Sequence, residues 1–172
     1  MAIWMVGFLT FLIGQRLIEL FIAKRNEHWI KRRGGVEIGD KHYKWFIVLH
    51  TLFFISLIVE SIVRNNLYIQ LNSALFILFI ILQIGRVWCI YSLGKFWNTK
   101  IIVVPNVHLI RSGPYRYLKH PNYVIVAMEL IVIPLLLMAY LTAIIFPLLH
   151  ILLLMVRIPS ENRALNERAI SP

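Results

Sequence analysis

Apolar residues gather into four long runs, 2–22, 45–63, 71–93 and 123–156, separated by short stretches rich in Lys and Arg. Runs of about 20 apolar residues mark helices that cross a bilayer, and the first three runs each fit one span. The fourth is too long for one: as a helix rising about 1.5 Å per residue it would measure roughly 50 Å, against a hydrocarbon core of about 30 Å. Two shorter helices turning near residues 138–142 fit better, with Pro134 and Pro147 bending or interrupting them. The pattern predicts an all-α polytopic membrane protein with five transmembrane helices, about 2–22, 45–63, 71–93, 123–138 and 142–157. The last two form a helical hairpin, and the whole chain, 1–172, makes one domain without internal repeats.

Charge orients this bundle. The stretch 23–44 holds Lys24, Arg25, Lys31, Arg32, Arg33, Lys41 and Lys44, and 94–122 holds Lys95, Lys100, Arg111, Arg116 and Lys119. The tail adds Arg157, Arg163 and Arg168, whereas 64–70 holds only Arg64. The positive-inside rule then puts the N-terminus outside and both basic loops in the cytoplasm, and the hairpin brings the C-terminus there too. The formal net charge of +10 is accounted for by orientation and anionic lipid, so no nucleic-acid partner is expected. The first run lacks a basic n-region and a small-residue cleavage site and reads as a retained span. Cys89 is the sole cysteine and sits in an apolar run, which excludes an internal disulfide and gives no basis for a metal site.

On this topology the polar residues inside the spans share one depth. Arg16, Glu19, His50, Gln83, Arg86, Glu129 and His150 fall mostly within about 10 Å of the cytoplasmic boundary. Ionisable groups in a membrane pair with one another or line a cavity. Arg16 and Glu19 have helical i,i+3 spacing, and Arg86 has Glu129 as a partner across helices. One reading is structural pairing with snorkelling arginines. The other is an inner-leaflet pocket, reached by a soluble cofactor from below and by a lipid from the side, with Arg86 and Glu129 among the acceptor-binding residues.

Between the third and fourth runs lies a polar, basic and aromatic island, 108–123, with two histidines and two prolines. Gly113-Pro114 makes a turn before Tyr115. Pro121 restricts His120 to an extended conformation and starts a helix, which delivers His120 and Tyr123 to its mouth, where free N–H groups favour an anion.

The sequence resembles the isoprenylcysteine carboxyl methyltransferase family, as a bacterial member. The resemblance rests on Leu109-Ile110-x-x-Gly113-x-Tyr115, on Lys119-His120-Pro121-Asn122-Tyr123, and on Arg157-x-x-x-Glu161 after the last span. It implies a membrane enzyme that uses S-adenosyl-L-methionine. His108, Leu109, Ile110, Tyr115, His120, Pro121, Asn122, Tyr123 and Glu161 would hold the cofactor, and Arg157 would face the methyl acceptor as the catalytic residue. Three positions differ from the family's usual pattern: His108 stands one place before Leu109 instead of two, Ile125 replaces a glycine, and Glu161-Asn162 replaces paired glutamates.

The implied acceptor is a lipophilic small molecule, either an isoprenylcysteine-type carboxylate or a polyketide (alkylpyrone) hydroxyl. An acceptor already ionised near neutral pH needs alignment and exclusion of water rather than a strong base. Arg157 and Arg86 suit the orientation of such an anion. A phospholipid N-methyltransferase, a related membrane reductase and a non-catalytic lipid-binding protein are the competing readings.

Overall fold

The computed structural model describes residues 3–64, 71–105, 107, 108 and 110–168. The described residues form five α-helices: α1 (Ile3–Lys31), α2 (Asp40–Val63), α3 (Ser73–Leu93), α4 (Pro121–Leu136) and α5 (Tyr140–Arg168). Four of them are long and apolar enough to cross a membrane, and α4, with 16 residues, is shorter. The uncovered surface is what a bilayer requires: Leu17, Phe21, Ile55, Ile84, Ile144 and Leu152 are among many exposed apolar side chains. The inner core runs through all five helices, with Leu9, Leu12, Leu49, Phe53, Phe79, Leu82, Leu130, Ile133 and Phe146 in one cluster.

Local sequence explains the helix ends. Asn72 caps α3, its Oδ1 accepting from Ala74 N and Leu75 N at 3.1 Å each. Pro121 occupies the first turn of α4, where a missing N–H costs nothing. The break between α4 and α5 falls at residues 137–139, slightly before the expected turn, with Met138 at φ 56. Pro134 lies in the last turn of α4. Pro147 and Pro159 lie inside α5 without ending it, so of the two outcomes expected at Pro147, a bend or an interruption, the helix is not interrupted. The start of α5 is fixed from α2: Glu60 accepts from Leu141 N at 3.0 Å and from Thr142 N at 2.9 Å, and Ser56 and Thr142 hydroxyls meet at 2.8 Å. A carboxylate at a helix N-terminus satisfies free donors and opposes the dipole favourably.

One element departs from the all-helical expectation. Val36–Ile38 (β1) pairs antiparallel with Ile101–Val103 (β2), with Glu37 opposite Ile102. This ribbon joins the two basic loops. Ile101 and Val103 bury against Ala164, with Ile38 and Leu165 packed beside them. That support carries α5 a further three turns beyond the span ending near residue 157, so Arg157 and Glu161 share one continuous helix.

Candidate functional site

The site is built on one face of α5. Ala143, Phe146, His150, Arg157, Glu161 and Ala164 recur at steps of three, four and seven, the spacing of a single helical stripe. Arg157 is only 6% exposed. Its Nε donates to Tyr123 Oη at 2.7 Å and its Nη2 to the Thr99 carbonyl at 2.5 Å. The Tyr123 hydroxyl in turn donates to Glu161 Oε2 at 2.5 Å. The guanidinium stands 4.8 Å from the Phe46 ring centre. No carboxylate lies within salt-bridge distance of Arg157 among the described residues, so its charge is free to face an anion or a polar acceptor.

The opening of α4 supplies the facing wall. His120 precedes Pro121, and its Nε2–H donates to Asn162 Oδ1 at 3.0 Å. The His120 and Tyr123 rings stack 5.4 Å apart. Asn162, which stands where the second glutamate of the family pattern would be, thus locks the imidazole.

A short 3-10 turn, Gly113–Arg116, presents Tyr115. Burial pushes the Tyr115 phenol above its usual range, and Cys89 and Glu161 push it the same way, so it remains a hydrogen-bond donor at neutral pH. Gly113 has φ 55, and a Cβ there would fall on Ser92 Oγ and 2.9 Å from Trp88 Nε1. A Gly113→Ala substitution is expected to destabilise the protein by about 1–3 kcal/mol and to shift Tyr115, which thermal unfolding in detergent would detect. An unchanged melting temperature would contradict that close approach.

The loop after α3 is held from α1. Asn26 Nδ2 donates to Trp97 O at 2.7 Å and to Gly94 O at 3.2 Å, and Asn98 Nδ2 donates to Ala23 O at 3.0 Å. Lys100 is bound by Glu27 and Glu37 at 2.9 Å each. Burial works against its charge, but those two carboxylates outweigh burial and raise its pKa.

Above this floor the polar layer forms a closed quartet. Arg86 makes a two-pronged contact with Glu19, Nε to Oε1 at 2.5 Å and Nη2 to Oε2 at 2.6 Å, and reaches Glu129 Oε2 at 3.0 Å. Arg16 bridges the same two carboxylates, at 3.0 Å to Glu19 and 2.6 Å to Glu129. Gln83 donates to Glu129 Oε1 at 2.8 Å, and Gln15 donates to Gln83 and Glu19. Both pairs expected from the sequence form, and two cations balance two anions. Gln15 had no sequence signal and completes the set.

A cavity of about 530 Å³ joins these parts. Its polar end is lined by Tyr115, Lys119, His120, Asn122, Tyr123 and Glu161, its middle by Arg157, Arg16, Arg86, His50 and His150. Its apolar end runs between α1 and α2, past Leu17 and Leu20 on one side and Ile47, Phe54, Ile55 and Ile58 on the other. Leu17, Leu20, Ile47 and Ile55 are themselves exposed, so the cavity opens sideways between these helices.

Of the residues expected to hold a cofactor, Tyr115, His120, Asn122, Tyr123 and Glu161 come together here. Pro121 is buried and starts α4. His108 is exposed and Ile110 half-buried, and neither lines the cavity; Leu109 lies outside the described residues. Of the expected acceptor residues, Arg157 and Arg86 line the cavity, with Arg86 engaged by both carboxylates, whereas Glu129 lies behind the wall at 1% exposure. Trp97, Asn98 and Thr99 form a wall that no motif announced. His50 and His150 belonged to the polar layer in the sequence, but their meeting in the cavity had no signal.

A family model described as the isoprenylcysteine carboxyl methyltransferase (ICMT) family matches residues 74–167, which hold nearly all of α3, the loop, α4 and nearly all of α5. A Bacillus subtilis (strain 168) protein named uncharacterized protein YpbQ is 42% identical over 162 residues, covering 94% of this chain and 96% of the relative. An uncharacterized protein of Haemophilus influenzae is 28% identical over 157 residues, covering 90% and 91%. No solved structure matches the chain.

Proposed function

The chain belongs to the isoprenylcysteine carboxyl methyltransferase family, and on that premise we propose that it is an S-adenosylmethionine-dependent O-methyltransferase of the membrane, acting on a lipophilic small molecule. One observation carries this reading: a single cavity has a polar end on the loop side and an apolar end open between α1 and α2. A water-soluble donor and a lipid acceptor need that division. In this reading the α4–α5 pair forms a hairpin in the bilayer, with the basic loops, the ribbon and the end of α5 on the cytoplasmic side.

The residues present fit S-adenosylmethionine. Asn122 Oδ1 and Trp97 Nε1 are buried without hydrogen-bond partners, an acceptor and a donor in the cavity wall. Such orphans are rare unless a ligand or water completes them. Glu161 offers a carboxylate to hydroxyl or ammonium groups, Tyr115 a phenolic donor, and the His120–Tyr123 stack a flat aromatic surface. The cavity volume lies in the range of about 300–1,000 Å³ usual for small-molecule sites. When bound, this cofactor supplies a methyl group on a cationic sulfonium, open to in-line displacement.

The protein's own work is alignment. Arg157 is held rigidly by Tyr123 and Thr99, and its planar fork orients the acceptor's oxygen. The apolar slot along α2 keeps water from the acceptor side. From His50 to Ile58 it extends about 12 Å along the helix, the reach of a medium-length alkyl chain.

Calorimetry with S-adenosylhomocysteine on purified protein in detergent tests the proposal. The protein is expected to bind, and Glu161→Gln to weaken binding about tenfold or more, the usual effect of losing a charged acceptor. Folded protein that gives no heat at millimolar ligand refutes it.

A further inference from the structure

Two imidazoles meet in the cavity. His150 is 1% exposed, and its ring nitrogens make no hydrogen bond of ordinary geometry, the backbone of Tyr123 being the polar group that reaches the ring. It lines the cavity together with His50, whose ring lies 6.2 Å away at nearly a right angle. The His50 Nδ1 sits 2.8 Å from the Phe46 carbonyl, which can only accept. Nδ1 therefore carries the proton, and Nε2 is left as a bare acceptor. A buried polar group without a partner carries a desolvation cost that a well-packed apolar side chain would avoid. Phe53 and Phe146 show that this core accommodates aromatic rings in edge-to-face contact without any nitrogen.

The pair also stands beside the residue assigned to orient the acceptor. The Phe46 ring packs against both: its centre is 5.8 Å from the His150 ring and 4.8 Å from the Arg157 guanidinium. Arg157 and the backbone of Tyr123 face His150 from the loop side, and Arg16 and Arg86 with Glu129 face His50 from α1, α3 and α4. Arg16 and Arg86 are balanced by Glu19 and Glu129, so Arg157 is the one uncompensated charge beside the pair among the described residues.

Resting on the methyl-transfer reading above, we propose that His50 and His150 form a proton-accepting station for the methyl acceptor, whose reacting group is a neutral O–H and not an ionised carboxylate. The expectation that a general base is dispensable holds only for an acceptor that is already anionic. Here the acceptor's oxygen forms its new bond to the methyl carbon as the donor's S–CH3 bond breaks, with that electron pair returning to sulfur. The O–H proton passes to an imidazole nitrogen, and the imidazolium later releases it to water. Atoms and charge balance without any further reactant.

A nitrophenol carrying a dodecyl chain is the probe, because its phenolate absorbs visible light and reports proton transfer without turnover. With the wild-type protein and no cofactor, the bound probe is expected to show the phenolate band at a pH where it stays neutral in empty micelles. The double variant His50→Phe, His150→Phe is expected to lose the band and to methylate the probe about 100-fold more slowly, the scale of general-base catalysis. Its affinity for S-adenosylhomocysteine is expected to be unchanged. A persistent band and undiminished kcat in that variant overturn the proposal, as does wild-type protein that never ionises the probe. If the Phe variants do not fold, His150→Ala with added imidazole decides: restored turnover supports the station, and no response refutes it. Failure of the wild type to bind S-adenosylhomocysteine instead strikes the methyltransferase reading itself, so the two failures are distinguishable.

Discussion

Arg157→Lys is expected to lower kcat for methyl transfer by about 100- to 1,000-fold, the scale set by removal of one fixed donor from a reacting centre. The substitution keeps the charge, so the loss isolates geometry. The arginine uses separate nitrogens at once, Nε on Tyr123 and Nη2 on the Thr99 carbonyl, and leaves Nη1 for the cavity. A lysine ammonium is a single point on a flexible stem and cannot hold both anchors while presenting a third donor. The acceptor's KM is expected to change far less than kcat, because alignment and not attraction is lost. Tyr123→Phe, which breaks the link from Arg157 to Glu161, is expected to reproduce part of the effect. Radiolabelled methyl incorporation into lipid extract measures both variants, and an Arg157→Lys enzyme within twofold of wild type would remove Arg157 from the reacting centre.

The second large effect is on stability. Glu129→Leu is expected to cost about 3–5 kcal/mol, because it leaves buried arginine charge without its partner. Glu129 receives Arg86, Arg16 and Gln83, and Glu19 alone cannot serve both guanidinium groups. Adding Arg86→Met to Glu129→Leu is expected to recover much of the loss, since Arg16 and Glu19 remain as a balanced pair at 3.0 Å. Thermal unfolding in one detergent would rank the three proteins. A double variant less stable than the single would show that the quartet acts by shape rather than by charge balance.

Much of this was legible because membrane solvation leaves few options. Long apolar runs had to be helices, and Arg16, Glu19, Arg86 and Glu129 had to find one another at their common depth. The loop motif was legible through residue order, and His120, Asn122, Tyr123 and Glu161 do converge. His108 had only its neighbourhood in sequence to recommend it, and it faces outward. The ribbon was hidden because Val36–Ile38 and Ile101–Val103 are three-residue strands inside charged loops, with no period long enough to read. The Trp97–Thr99 wall depends on Asn26 and Asn98 bonding to distant carbonyls, which no local pattern encodes. The weakly engaged ring of His150 is a property of what surrounds it, and composition cannot reveal how well a buried nitrogen is partnered.

Glu60 at the head of α5 has a mechanical consequence. Together with Ser56 and the contacts of Phe46 with His150 and Phe53 with Phe146, it binds α2 and α5 into one leaf. Arg16, Glu19 and Gln15 bind α1 to α3 and α4 in another. The α4–α5 turn is the spine of this book, and among the described residues no hydrogen bond or ion pair ties α1 to α2 across its open edge. Parting the leaves there breaks only apolar contacts, and an alkyl chain sliding between them replaces what it separates. On the proposed reading, a lipid entering there would leave the described polar bonds within each leaf unbroken.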